Sequence, residues 1–352
     1  MASAATWILY GANGYTGRLI AQRAVATGLR PIVAGRNAEQ VAGLAATHSL
    51  ESRVFSLDKR ESIAQHLAGV ALVLNCAGPF ADTAPAMIDA CLAMKSHYLD
   101  ITGEIDAIEY AHDHDAQARE ANVTVIPAVG FDVVPTDCLA AMLVRRLPDA
   151  QQLELAFSSG GSLSPGTAKT LLRSLPEGGR VRRDGRIVRV PLAWKTREIP
   201  FRHGLRYGMT IPWGDVASAY YSTGIPNIRV YIESSPKRVK RLRRLRWLAP
   251  LLKFSWAQQV AQRRVDARIK GPTARQRERQ RTSLWGEVTN GEGQRASATI
   301  TTPSGYELTS QTAVEAVKRV LAGGIGAGFQ TPSKAFGADF ILDFDGVDVE
   351  FN

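Results

Sequence analysis

Residues 11–17 read Gly11-Ala12-Asn13-Gly14-Tyr15-Thr16-Gly17. A short apolar run, Thr6–Tyr10, precedes them and reads as a strand, while Thr16–Gly28 follows and reads as a helix ending on a glycine cap. Glycines alone say little, but a glycine-rich turn between a strand and a helix is a dinucleotide-binding signal. Gly11 permits the tight turn, Gly14 lets the backbone approach a diphosphate, and Gly17 lets helix and strand pack closely. Amide groups and a partial positive charge at the helix start suit the phosphates, so Asn13, Tyr15 and Thr16 join the glycines as expected cofactor contacts.

Outward from this turn, strand-like and helix-like patterns alternate. Pro31–Ala34, Arg53–Leu57, Ala71–Cys76, His97–Asp100 and Val123–Pro127 read as strands. Ala38–His48, capped by Asn37, then Ser62–Leu67, Thr83–Met94 and a long Ile105–Ala121 read as helices. Each strand is short and apolar, as expected where both faces are buried. The pattern predicts an α/β, Rossmann-type doubly wound parallel sheet over 1–135. After Pro135 the rhythm changes, and 136–324 reads as a second, α+β domain. Its signals are strands at Leu153–Ser158 and Ile228–Glu233, a hairpin over Gly179–Val190 around Asp184-Gly185, a strand pair at Trp285–Gly291 and Ala296–Thr301, and a helix at Gln311–Leu321.

An enzyme using NAD places a carboxylate at the end of strand 2 for the ribose. Here that place reads Ala34-Gly35-Arg36-Asn37, with no carboxylate. The Arg36 guanidinium can grip a 2′-phosphate through a charge-assisted fork, so the expected cofactor is NADP(H), with Asn37 beside it. Asp58, after strand 3, is placed to touch the adenine edge or to cap its loop. Asn75, Ala77, Gly78 and Pro79 end strand 4, on the side of the sheet where the nicotinamide ribose would lie.

Hydride transfer also needs a proton donor. Candidates gather after strands 5 and 6: Asp100, Thr102 and Glu104, then Asp132 and Asp137 on either side of Pro135, with Tyr15 in the phosphate turn. An Asp or Glu near a helix start is also a common cap, and for Asp132, Asp137 and Glu104 that reading stands beside the catalytic one. Ser162, Ser164, Gly166, Thr167 and Lys169 could form an anion-binding loop or simply cap a helix. No metal site is expected. His112-Asp113-His114-Asp115 alternates on a helix, where positions two apart do not share a face, and the three cysteines, Cys76, Cys91 and Cys138, lie far apart.

The 352 residues carry a net charge of +10, unevenly distributed. Between Pro236 and Arg281 stand 16 Lys/Arg and 2 Asp/Glu, which leaves the rest of the chain acidic. Within 236–256, Val239, Leu242, Leu245 and Leu248 recur at three-residue spacing among arginines, and Trp247, Phe254 and Trp256 follow. Such a helix can lie on an anionic membrane surface, dock an acidic carrier, or pack its apolar edge on its own domain. No nucleic-acid-binding motif accompanies the charge. The opening residues lack a basic region and a long apolar run, and no apolar stretch reaches about 18 residues, so the expectation is a cytoplasmic protein, at most peripheral to a membrane.

Taken in order, Tyr10–Gly17, Ala34-Gly-Arg36, Asn75-Cys-Ala-Gly-Pro79, Tyr98-Leu-Asp-Ile-Thr-Gly-Glu104 and Gly130-Phe-Asp-Val-Val-Pro-Thr-Asp137 resemble the saccharopine dehydrogenase-like oxidoreductases. More narrowly they resemble the branch containing the mycobacterial trans-acting enoyl reductases. Ser164-Pro-Gly-Thr167, Tyr306-Glu-Leu-Thr309 and Gly328-Phe-Gln-Thr-Pro332 extend the resemblance, whereas 178–285 adds little to it. The resemblance implies NADP(H), a Rossmann domain followed by an α/β domain, and a tail, 325–352, that returns to the first domain. It implies reduction of an activated C=C bond on a hydrophobic or carrier-bound, enoyl thioester-like substrate, with the second domain serving the substrate and a homodimer. Two alternatives stay open: a saccharopine-type C–N amino-acid dehydrogenase, and a non-catalytic NADPH-binding protein recruited to lipid.

Overall fold

The computed structural model describes residues 5–159, 177–245 and 271–352. In chain order these begin β1 (Trp7–Tyr10), α1 (Tyr15–Ala26), β2 (Ile32–Gly35), α2 (Ala38–His48), β3 (Ser52–Val54), α3 (Arg60–Leu67), β4 (Leu72–Asn75), α4 (Phe80–Met94), β5 (His97–Asp100), α5 (Ile105–Asp113), α6 (Asp115–Glu120) and β6 (Thr124–Ile126). Then come α7 (Val134–Arg146), β7 (Ala150–Ser159), β8 (Gly179–Arg183), β9 (Arg186–Val190), β10 (Thr196–Phe201), β11 (Gly204–Ile211), α8 (Asp215–Thr223), β12 (Asn227–Glu233), α9 (Pro236–Leu245), α10 (Ala274–Arg279), β13 (Arg281–Asn290) and β14 (Arg295–Pro303). The last are α11 (Gly305–Ala322), β15 (Gly328–Phe329), α12 (Pro332–Phe336) and β16 (Asp348–Phe351).

The chain divides into two compact units. One holds the residues up to Val134 together with Tyr306–Phe336; the other holds Pro135–Gly305 and Gly337–Asn352. In the first, a seven-stranded sheet runs β15-β6-β5-β4-β1-β2-β3, and every pairing is parallel. Strand order reverses between β1 and β4, and that switch point opens a crevice at the carboxyl ends of the strands. Burial of both faces explains the unbroken apolar strands: Trp7, Ile8, Leu9 and Tyr10 are all within 2 % of full burial. On one face, Ile20, Ala21 and Ala24 of α1 and Ala313, Val314, Val317 and Val320 of α11 form one core with Leu9, Val33, Leu74 and Leu99.

Three features differ from the sequence reading. The Tyr306–Thr309 motif lies in the first unit, at the start of α11, where the Thr309 hydroxyl accepts the Phe131 amide at 3.0 Å and the Thr312 hydroxyl donates to the Val129 carbonyl at 2.8 Å. The tail is split rather than returning whole. Gly328–Phe329 adds a parallel strand to β6, while Asp348–Phe351 pairs antiparallel with β14 in the second unit. The long helix over 105–121 breaks at His114, whose backbone sits at φ −99, ψ 13. The break frees Asp115 to accept the Phe329 amide at 2.7 Å, which ties β15 to the sheet.

In the second unit a mixed sheet runs β10-β11-β12-β7-β13-β14-β16, with β7 and β12 parallel and β8–β9 attached as a side hairpin. That hairpin turns on Asp184 and Gly185, both at positive φ, as its sequence predicts. Leu139 and Leu143 of α7 lie against Gly286 so closely that a β-carbon there would come within 2.9 Å of Leu139. The start of the basic stretch, α9, lays Val239 and Leu242 against Ala193, Met209, Tyr207 and Ile232 of its own unit, and Arg243 donates to the Ala193 and Trp194 carbonyls at 2.9 and 3.2 Å. The apolar edge of this helix is therefore used internally. Lys237, Arg238, Lys240, Arg241 and Arg244 stay exposed. The middle of the stretch, 246–270, and the Ser162–Lys169 loop lie outside the described residues. No helix among the described residues is long and apolar enough to cross a membrane.

Candidate functional site

The phosphate turn is built as its glycines require. Gly11 has φ +75, and a β-carbon on it would lie 2.7 Å from the Ala77 amide nitrogen; one on Gly17 would lie 2.4 Å from the Gly11 carbonyl oxygen. These two close approaches press the turn against both α1 and the Asn75–Pro79 segment after β4. Gly14 caps α1 in extended backbone with no side-chain hydrogen bond, and the first helical turn carries no acidic residue. An exposed, uncapped and acid-free helix start is the cradle a dinucleotide diphosphate needs, so the residues fit the expected group.

Asn13 reaches sideways, its Nδ2 donating to Gln40 Oε1 at 2.8 Å while its carbonyl accepts Arg18 Nε at 3.0 Å. The Tyr15 ring packs edge-on against Tyr306, with centroids 5.0 Å apart. Asn37 spends its side chain on capping α2, accepting the Gln40 amide at 2.9 Å. Arg36 is exposed at the end of β2, and Asp58 is exposed with the Ser56 hydroxyl on its carboxylate at 2.5 Å. Both act on one hydroxyl. Burial pushes the Tyr10 phenol up to about 12, with the Arg36 guanidinium opposing and the Asp58 carboxylate adding to the rise.

A buried polar network occupies the carboxyl ends of β4 and β5. Asn75 Oδ1 accepts the Ala77 amide at 3.0 Å, and Tyr98 donates to Asp100 Oδ2 at 2.8 Å. Asp100 Oδ1 accepts the Thr102 and Ala128 amides at 2.9 and 2.7 Å. Desolvation raises the Asp100 carboxyl to about 6, against the pull of those hydrogen bonds. Asp100 is therefore a strut between the loops after β5 and β6. The Gly78–Pro79 bond is cis, and Pro79 leads directly into α4.

Glu104 accepts the Phe80 amide on one carboxylate oxygen and the Ala81 amide on the other, both at 2.9 Å. A carboxylate across two amides at a helix N-terminus is favoured by charge and by hydrogen bonding together. Glu104→Ala is expected to leave these amides without an acceptor and to lower stability by about 1–3 kcal/mol, measured by urea denaturation; an unchanged midpoint would contradict the capping role. Sequence spacing could not show this contact, because donor and acceptor stand 24 residues apart.

Asp132 is brought to the same end of the sheet. A β-carbon on Gly103 would lie 2.8 Å from Asp132 Oδ2, so the carboxyl rests directly on the Gly103 backbone. Burial, joined by repulsion from Glu104, raises it to about 7. Asp137, by contrast, belongs to the second unit, is fully buried, and accepts a short hydrogen bond from the Ser222 hydroxyl. Among the described residues no group of His, Cys, Asp or Glu could hold a metal; His114 stacks on Tyr110, and His97 accepts the Thr124 amide at 3.0 Å.

Residues 7–126 match the saccharopine dehydrogenase NADP binding domain family. The matched stretch runs from β1 to β6 of the first unit, about a third of the chain. Its cofactor is NADP(H), as Arg36 in place of a carboxylate suggests. The chain is similar to the trans-acting enoyl reductase of Mycobacterium leprae, 30 % identical over 156 residues that cover 42 % of this chain and 37 % of the relative. The trans-acting enoyl reductase of Mycobacterium tuberculosis strain H37Rv is 28 % identical over 177 residues, covering 45 % and 42 %. A lipid droplet localized protein of Caenorhabditis elegans is 29 % identical over 189 residues, covering 48 % and 44 %. These matches span about two-fifths of the relatives' length. In fold, the chain is similar to the saccharopine dehydrogenase (L-Glu forming) of Saccharomyces cerevisiae, with a TM-score of 0.65 and 13 % identity over 99 % of this chain and 100 % of that one.

Proposed function

We propose that the saccharopine dehydrogenase-type NADP-binding domain serves an NADPH-dependent reductase of an activated C=C bond, on a hydrophobic, enoyl thioester-like substrate. The observation that carries this reading is Asp132: a half-buried carboxyl resting on the Gly103 backbone at the carboxyl end of the sheet, raised to about 7 and so able to hold and release a proton near neutrality. NADPH when bound supplies the hydride. The enolate left once a hydride has added needs one proton at carbon, which the Asp132 carboxyl donates, becoming a carboxylate. Gly11, Gly14, Thr16 and Gly17 hold the diphosphate, Arg36 the 2′-phosphate, and Asn75, Ala77, Gly78 and Pro79 the nicotinamide side. Asp100 acts through the loops it braces, as a positioning residue.

The names of the mycobacterial relatives support an enoyl substrate. The exposed cations of α9 suit an anionic carrier protein that presents it, or the anionic surface of a membrane to which a cytoplasmic enzyme attaches peripherally. Mixing the protein with NADPH and a crotonyl thioester, and following nicotinamide absorbance, tests the reaction. Oxidation of NADPH that requires the thioester is the expected result. NADP reduction that depends on lysine or glutamate would replace this reading with the amino-acid dehydrogenase.

A further inference from the structure

In the second unit, on the sheet face away from α7, lies an open cavity of about 570 Å³ between β7, β12, β13, β14 and the turn joining β10 to β11. Three guanidiniums line it, Arg202, Arg206 and Arg281, together with the His203 imidazole. Among the described residues Glu233 is the one carboxylate in the wall, and its Oε2 already takes a short hydrogen bond from the Ser158 hydroxyl while its Oε1 lies 3.6 Å from Arg206 Nε. Arg281 donates to the Glu278 and Gln280 backbone carbonyls and forms no ion pair among the described residues. Arg202 is paired with Asp348 and Glu350, but these carboxylates stand outside the wall and their side chains are 59 % and 55 % exposed. Ion pairs that exposed are weak and yield to a stronger anion. The His203 ring is steadied by a 3.2 Å contact with the Ser283 hydroxyl.

We infer that this cavity binds the phosphate group of an organic phosphate. Guanidinium forks, an imidazole and hydroxyl groups together are the donor set that recognises a tetrahedral oxyanion. A volume within the small-molecule range of about 300–1,000 Å³ leaves room for an organic body beside the phosphate. The cavity belongs to the second unit alone, so the inference is independent of the cofactor reading.

The test is calorimetric titration of the full chain, saturated with NADPH so that the first unit offers no phosphate site, with phenyl phosphate, phenol and inorganic phosphate in turn. Phenyl phosphate should bind about tenfold more tightly than inorganic phosphate, and phenol should not bind. The double variant Arg206→Ala/Arg281→Ala should lose phenyl phosphate affinity by about tenfold or more, with NADPH affinity and melting temperature unchanged. Inorganic phosphate binding as tightly as phenyl phosphate would overturn the organic-phosphate assignment. Equal phenyl phosphate affinity in the variant and the parent would overturn the site. Should the double variant melt early, the two single variants, each keeping one arginine, carry the same comparison.

Discussion

Arg36→Ala is expected to weaken NADPH binding by about 10- to 100-fold and to leave NADH binding unchanged. The magnitude is that of a charge-assisted hydrogen bond lost, about 1.5–3 kcal/mol, where each 1.4 kcal/mol is about tenfold. Only the 2′-phosphate distinguishes the two dinucleotides, so only NADPH loses a contact. The neighbouring Asp58 pushes the effect toward the upper end. Both charges bear on the Tyr10 phenol, so removing the guanidinium leaves the Asp58 charge acting there without its counterpart. Two consequences can be measured by fluorescence titration. The variant's deficit should shrink with added salt, because Arg36 is exposed and its field is screened. Asp58→Asn should change NADPH affinity in the opposite direction. Equal NADPH affinities for wild type and Arg36→Ala would remove this arginine from the cofactor site.

The parts of the fold that were legible in the sequence are those set by local chemistry. β1 and β2 are fully buried, so their side chains leave an unbroken apolar signature, and the glycine turn between β1 and α1 is dictated by close approach within a few residues. Asp184-Gly185 declares its hairpin because its backbone demands positive φ at both positions. What stayed hidden depends on partners far along the chain. Thr309 reads as an ordinary helical threonine until the Phe131 amide, 178 residues earlier, is found on its hydroxyl. β10 carries Arg197, Glu198 and Pro200 among its six residues, so its strand character comes from pairing with β11 rather than from an apolar run. At the candidate site the positions of Glu104 and Asp132 were visible, but their roles were not. Two backbone amides at the start of α4 occupy Glu104, while Asp132 rests on Gly103 under the repulsion of that same Glu104. Neighbouring carboxylates were thus separated into a helix cap and a carboxyl of raised pKa by contacts that no spacing rule contains.

That separation makes Asp132→Asn the most demanding test of the proposed reductase. Asparagine keeps the shape of the side chain but cannot donate a carboxyl proton, so turnover with a crotonyl thioester should fall by about 10²- to 10⁴-fold. The wild-type rate should decline as pH rises through about 7, where the carboxyl loses its proton, and the residual rate of the variant should not follow that titration. Stability must fall over the same pH range. The folded-state pKa of Asp132 lies above its ordinary value of 3.8, so the folded protein holds a proton that the unfolded chain has released. The stability linked to that proton is complete below the unfolded value and is lost as pH rises through about 7, as a half-buried carboxylate appears beside Glu104. The substituted amide carries no such charge. The variant should therefore match wild type in melting temperature near pH 4 and exceed it near pH 8, by roughly a few degrees for each 1 kcal/mol recovered. A residue with only a structural role would shift the melting curves and leave the pH–rate profile in place. A variant that kept the wild-type turnover and its decline near neutrality would move the proton donor to another side chain and leave Asp132 a half-buried acid beside Glu104.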